Sequence, residues 1–217
     1  MKPWLLLDRA AVEGGAEICL YRRGDEFSIR VAGFELMSSR AHASEDELGR
    51  LACERIAKRP SAAVLLGGLG MGFTLAAVLR SLGPAGRVVV AELIPAVERW
   101  NRDPLGGLAG HPLRDPRVTV RLIDVARLLE RESRAYDAIV LDVDNGPDPL
   151  SAPGNRWLYS ESGLVRTLEA LRPGGVLAVW GAGFDPGFSR RLKRAGFAVE
   201  ELREARAVLW VATAPGR

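Results

Sequence analysis

The 217-residue sequence predicts an α/β fold: a mostly parallel seven-stranded sheet with helices on both faces, preceded by a small N-terminal β element. Three observations carry this expectation. Beyond Pro60, short apolar runs alternate regularly with helix-length segments, the rhythm of βα units. Those runs are near-continuously apolar, as expected of parallel strands covered on both faces. The first of them, Ala62–Leu66, passes straight into a glycine cluster that opens a helix, the kind of turn at which open α/β sheets take ligands.

The elements follow in order. Glu17–Tyr21 and Glu26–Val31 read as strands around the turn Arg22–Asp25, with a break at Gly33 and a further extended run Phe34–Met37. Ser44 followed by Glu47 fits a capping box and predicts a helix through Leu48, Leu51, Ala52 and Ile56, ended by Pro60. After the strand Ala62–Leu66 come a helix Phe73–Leu82 stopped by Gly83-Pro84, a strand Arg87–Glu92 and a helix from Pro95 to about Asn101. A loop from Asp103 to Pro116 leads to the strand Val118–Leu122. A short helix around Val125–Glu132, the strand Tyr136–Leu141, a Pro/Gly-rich loop to Trp157 and a helix Ser160–Leu171 come next. Arg172-Pro173-Gly174-Gly175 then turns into the strand Val176–Trp180. A helix around Phe188–Ala195 and strands Ala198–Leu202 and Ala207–Ala212 finish the chain. The predicted organisation is a β element over residues 1–43 and a Rossmann-like cofactor-binding domain over 44–217.

Composition narrows the function classes. Hydrophobic residues make up 47% and charged residues 26%, ordinary for a globular protein and far from a disordered chain. The net charge is +3 and basic residues interleave with acids, as in Glu54-Arg55 and Arg203-Glu204, so no nucleic-acid stripe is predicted. Cys19 and Cys53 lack CxxC spacing and a nearby histidine pair, which argues against a disulfide or a zinc site. The apolar run in Met1–Asp8 is too short for a signal peptide, and no segment has the roughly 18 apolar residues of a membrane span, giving a cytoplasmic expectation.

The candidate site follows from strand ends. The loop Gly67-Gly68-Leu69-Gly70-Met71-Gly72 lets backbone approach a ligand, with a helix N-terminus behind it. Glu92 closes the next strand, roughly 20 residues on, where an acid can accept hydrogen bonds from ribose hydroxyls. Nicotinamide cofactors use the same two features, so other residues must decide. Asp124, after the third strand, can meet the exocyclic amine of an adenine, or simply cap the following helix. The segment Asp142-Val143-Asp144-Asn145-Gly146-Pro147-Asp148 places carboxylates at the end of a central strand. These can hold a cationic amine, take its proton, or contact the cofactor's own ammonium group, while Asp144, Asn145 and Asp148 also suit a turn. No Gly-x-Ser-x-Gly elbow, P-loop lysine or histidine metal spacing is present, and His42 and His111 stand alone, so hydrolase and kinase chemistry falls away.

These residues together resemble a family. From Val64 to Trp180 the chain is similar to spermidine synthases, the aminopropyltransferase branch of the class I methyltransferase fold. Gly67–Gly72 lies on that family's GGGDGG loop, Ala91-Glu92-Leu93-Ile94-Pro95 on its (V)E(I)(D)P segment, Asp115-Pro116-Arg117-Val118 on its DPRV and Ile123-Asp124-Val125 on its GDG. Tyr136–Asp142 resembles YDVIIVD, Leu158-Tyr159-Ser160-Glu161 resembles LYSEE, and Leu171–Leu177 resembles LKPGGVL. Upstream, the β element and Glu47 sit where the family has N-terminal hairpins and a Tyr-His-Glu segment.

The resemblance implies S-adenosylmethionine or its decarboxylated form as ligand, without a metal. Gly67, Gly68, Leu69, Gly70, Gly72, Glu92, Leu93, Asp124, Val125 and Asp142 would hold it. Asp142 and Asp144 would be the catalytic acids, and Glu47, Asn145 and Tyr159 would face a small amine acceptor. A homodimer is typical of that family; no nucleic acid or membrane partner is implied. The chain departs from the pattern where the aspartate of GGGDGG becomes Gly70, and where the Tyr-His pair before Glu47 becomes Glu45-Asp46. Aminopropyl transfer, methyl transfer to another small molecule and nucleoside binding without turnover all follow from the same site.

Overall fold

Alternation of side chains along the central strands decides the architecture. In the computed structural model, which describes residues 2–12, 16–143, 146–147, 155–203 and 207–216, successive strand residues feed two separate cores. Val64 and Leu66 of strand β5 (Ala63–Gly67) point into one, while Ala63 and Leu65 point into the other. The same split runs through β8 (Tyr136–Leu141) and β9 (Leu171–Gly181), with Val140 and Ala178 on one face and Ile139, Leu141, Leu177 and Val179 on the opposite face. A strand that buries both faces must be apolar throughout, which is why these runs carry no polar alternation.

The main sheet has seven strands in the order β10 (Ala198–Arg203), β11 (Val208–Thr213), β9, β8, β5, β6 (Arg87–Glu92), β7 (Val118–Leu122). The pairs from β9 through β7 are parallel, and β11 lies antiparallel to both β9 and β10. From β5 the chain moves outward through β6 and β7, then returns to place β8 on the other flank of β5. The direction of winding therefore reverses between β5 and β8, and a crevice opens beyond the carboxyl ends of these two strands.

Helices α1 (Ala43–Arg55), α2 (Phe73–Ser81) and α3 (Pro95–Arg102) lie with the first core, and α4 (Val125–Arg131), α6 (Glu161–Ala170) and α7 (Pro186–Arg194) with the second. Gly49 sits where α1 meets α2; a Cβ there would fall 2.7 Å from the Ala77 Cβ, so a glycine is kept in mid-helix to let the backbones approach. The N-terminal residues form an antiparallel sheet of β1 (Leu5–Ala11), β2 (Glu17–Arg23), β3 (Glu26–Val31) and β4 (Phe34–Ser38). Its inward residues Ile18, Leu20, Phe27 and Ile29 join the first core, and Trp100 Nε1 donates to Asp8 Oδ2 at 2.8 Å. The small sheet thus lies over the crevice side of the large one.

Several local expectations differ. Strand β1, read in sequence only as a short apolar run, forms because it can pair with β2. Helix α1 begins one residue before Ser44, with His42 at its N-cap and no side-chain capping bond. Ser44 Oγ donates to Glu45 instead, and the helix stops at Arg55, well before Pro60. Two 3₁₀ turns, Gly106–Ala109 and Pro112–Arg114, occupy the loop after α3, and a short helix α5 spans Asn155–Leu158. The Arg172–Gly175 turn lies inside β9, because Leu171 already pairs with Tyr136 and a register shift absorbs the glycines.

Candidate functional site

The glycine loop hangs from β5 by backbone bonds on both sides. Gly68 N donates to Ala91 O of β6, and Asp142 N donates to Gly67 O, each at 2.9 Å. Gly68 has φ +87°, and a Cβ on it would lie 2.2 Å from the Asp142 carbonyl oxygen, so only glycine lets the two strand ends come together here. Gly72, at φ +84°, is the N-cap of α2. Behind the loop, Asn101 Nδ2 donates to Gly70 O at 2.8 Å and to Val97 O at 3.0 Å, clamping the loop to α3.

A cleft runs past this loop in two lobes that share Leu36, Met37, Gly70 and Asp142. The first lobe has about 870 Å³ of empty space, counting the part open to solvent, and suits a nucleoside-sized ligand. Glu92 stands at its wall, at the end of β6, only 6% exposed. Leu69 N donates to its Oε2 at 2.9 Å and Ile94 N to its Oε1 at 2.8 Å, so the carboxylate faces the loop in a fixed orientation and keeps acceptor capacity beyond these bonds. Burial pushes its carboxyl above the usual range, and the backbone N–H groups partly oppose this. Asp124, after β7, caps α4 through an Ala126 N–H donated to Oδ1 at 2.8 Å and also lines the lobe. Capping and lining are compatible, since the cap occupies one oxygen. Leu93, Val125 and Ile123 supply apolar walls.

Asp142, at the tip of β8, borders both lobes. Thr74 Oγ1, from the first turn of α2 and 2% exposed, donates to its Oδ2 at 2.5 Å. Burial pushes the Asp142 carboxyl up to about 7; the Thr74 bond works against this, and the charge of Glu45 adds to it. A carboxyl poised there can take or hold a proton near neutrality. The second lobe extends from Asp142 past Glu45, Phe73, Met71 and Trp180.

The structure therefore brings Gly68, Gly70, Glu92, Leu93, Asp124, Val125 and Asp142 to the first lobe, with Leu69 and Gly70 on the second. Gly67 lies beneath the loop against Val125 and Leu141, and Gly72 lies against Asn101 and Pro112. Two expected acceptor residues are elsewhere. Glu47 does not line the cleft; it bonds Arg50 one turn along the exposed helix face, and that guanidinium holds its carboxyl below the usual range. Tyr159 is 2% exposed and packs edge-on against Phe188, its hydroxyl donating to Val143 O at 3.4 Å, so it supports the strand end from behind. Asp144, Asn145 and Asp148 lie outside the described residues.

Residues absent from the expectation are Thr74, Glu45, Met37, Trp180 and Asn155. Thr74 had a legible signal, as the only hydroxyl in the first turn after the loop. Glu45 had a partial one, standing with Asp46 where the resembling family has a Tyr-His pair, and Met37 had none, because its place depends on how the small sheet docks on the large one.

The donor set discriminates among nucleotides. The described residues lining the first lobe include three carboxylates, Glu92, Asp124 and Asp142, and no lysine or arginine. Such a lining disfavours a pyrophosphate and suits a nucleoside carrying a positive charge.

No family model matches the chain. Over 125 residues it is 34% identical to polyamine aminopropyltransferase 2 of Pseudomonas aeruginosa, a match covering 56% of this chain and 34% of that relative. The chain thus spans about a third of the curated relative it matches. The spermidine synthase of Thermotoga maritima superposes with TM-score 0.76 at 17% identity, covering 97% of this chain and 73% of that one. An O-methyltransferase family protein from Burkholderia thailandensis superposes with TM-score 0.57 at 17% identity, over 80% of this chain and 55% of that one. The fold is the class I methyltransferase fold, and its N-terminal sheet is included in the likeness to the spermidine synthase structure.

Proposed function

We propose that this chain, spermidine synthase-like in sequence and fold, is a transferase that moves an aminopropyl group from an S-adenosylmethionine-type donor to a small amine. The observation that carries the reading is Asp142 at the junction of two lobes, one of nucleoside size and acidic, the other aromatic and acidic. The residues fit such a donor. Gly68 and Gly70 line the cleft with backbone alone, Glu92 is held where it can meet ribose hydroxyls, and Asp124 keeps one oxygen for an adenine amine. When bound, the donor supplies a carbon activated by a neighbouring sulfonium, with a neutral thioether as leaving group.

What the chain contributes is position and a proton acceptor. Glu92 and Asp124 set where the nucleoside lies, and Asp142 stands next to the space where an incoming amine and the transferred carbon meet. An amine must be neutral to attack, and the Asp142 carboxylate, with an affinity for protons near pH 7, accepts the proton it sheds. Bringing both reactants into one cleft supplies much of the rate, since the leaving group is already good. Within this reading the chain is cytoplasmic, its residues 1–43 form a covering element to the transferase domain 44–217, and it works as a homodimer.

Methyl transfer is the second reading. It is favoured by the loop apex, where Gly70 faces Met37 and no acid is present to hold an amino group. Calorimetry separates the two: tighter binding of decarboxylated S-adenosylmethionine supports aminopropyl transfer, and preference for the carboxylated form supports methyl transfer. Glu92→Ala abolishes nucleoside binding, whereas unchanged affinity in that variant refutes the ribose assignment.

A further inference from the structure

The second lobe has an acid of its own, supplied by α1 and not by the glycine loop. A Cβ on Gly70 would lie 2.8 Å from Met37 Sδ, so the loop apex has no room for an acidic side chain unless Met37 moves. Glu45, in the first turn of α1, lines this lobe together with Asp142, Phe73, Met71 and Trp180, and no lysine, arginine or histidine is among its described lining residues.

The Glu45 carboxylate is also held in place. Ser44 Oγ donates to its Oε2 at 2.6 Å, and Trp180 Nε1 donates to that same hydroxyl at 3.0 Å, so an indole from β9 steers the acid through a serine. Its neighbours are already neutralised. Asp46 is bonded by His42 and Arg80, and Glu47 by Arg50. Among the described residues no cation pairs with Glu45, the one acid of this turn that lines the cleft.

We propose that Glu45 is the specificity-determining residue of the cleft: it takes the cationic nitrogen of an alkylammonium ligand whose carbon chain lies along the aromatic and thioether wall of the second lobe. The inference rests on the transferase reading above. Glu45 and Asp142 line one lobe, where like charges repel and the charge of Glu45 helps to raise the Asp142 carboxyl, and a cation between them relieves that repulsion. The wall of Phe73, Trp180 and Met71 suits methylene groups and adds attraction for a cation. The nitrogen has two sources, the donor's own aminopropyl end or a free diamine.

Calorimetry on the full chain tests this with Glu45→Gln, which keeps the shape and removes the charge, and with Glu54→Gln on the same helix as a folding and surface-charge control. One arm compares decarboxylated S-adenosylmethionine with methylthioadenosine, which lacks the ammonium group. The other titrates 1,4-diaminobutane into the methylthioadenosine complex. Glu45→Gln weakens the ammonium-bearing ligand about tenfold to a hundredfold in the arm that identifies its source, and leaves methylthioadenosine unchanged. Equal affinities in Glu45→Gln and the unaltered chain in both arms overturn the proposal while the nucleoside reading stands. If the unaltered chain binds none of the three probes, the transferase reading fails and this proposal with it.

Discussion

Replacing Asp142 by asparagine should stabilise the protein at alkaline pH while removing the proposed transfer activity. The reason is the raised carboxyl, displaced from the usual 3.8 to about 7 by burial. Between those values the folded chain keeps a proton that the unfolded chain has already lost, so folding stability falls as pH rises, by about 1.4 kcal/mol per unit. The loss is complete above about pH 7 and absent below about pH 4. A shift of about three units corresponds to about 4 kcal/mol, and the wetted side of the cleft reduces this to about 2 kcal/mol. Asparagine carries no charge at any pH and still accepts the Thr74 hydroxyl bond. For a chain of this size about 2 kcal/mol is a rise in Tm of about 4–8 °C. Thermal unfolding of both proteins, followed by circular dichroism from pH 4 to pH 8.5, reads the difference directly. The gap in Tm should open between pH 4 and pH 7 and stay constant above. A gap that does not change with pH, or an asparagine variant that melts below the parent at pH 8, refutes the assignment of Asp142 as a half-buried carboxyl poised near neutrality.

Two further outcomes follow from the same geometry. Thr74→Val removes the hydroxyl that stabilises charged Asp142, so the acid limb of the pH–rate profile moves up by about one unit or more, and Thr74→Ser restores it; an unmoved limb in the valine variant means that Thr74 does not position Asp142. Gly68→Ala forces a Cβ to 2.2 Å from the Asp142 carbonyl at φ +87°, so it costs about 3 kcal/mol or more and lowers nucleoside affinity, whereas Gly183→Ala, with nothing within 4 Å of the added Cβ, melts like the parent.

Local sequence pattern carried the sheet and the edge at which the cleft opens. Strands that bury both faces leave continuous apolar runs, and a chain that must turn from a strand into a helix beneath a ligand needs glycines, so β5, the loop and the acids at the ends of β6, β7 and β8 were all legible from local pattern. Covalent neighbours also fixed Asp124 as a cap, with Ala126 two residues away. Tertiary structure decided the rest. Asp137, read in sequence only as part of a family motif, is bound by Ala63 N, Arg59 and Arg172 and ties β5 to β8 and β9 at the far end of the sheet.

Which acid of the Glu45-Asp46-Glu47 turn faces the cleft depended on the rotation of α1. That rotation was set by Gly49 against Ala77 and by Trp180 reaching Ser44, contacts 28 and 136 residues apart in sequence. The capping pattern in the sequence favoured Ser44 as the cap, and the family resemblance implied Glu47 as the site acid. Packing of α1 on α2 placed the helix cap two residues earlier, at His42, and brought Glu45 into the lobe that Asp142 also lines. A local motif fixes what a helix can do at its ends, but which face it shows to a cleft is a long-range packing choice that no short stretch of sequence carries.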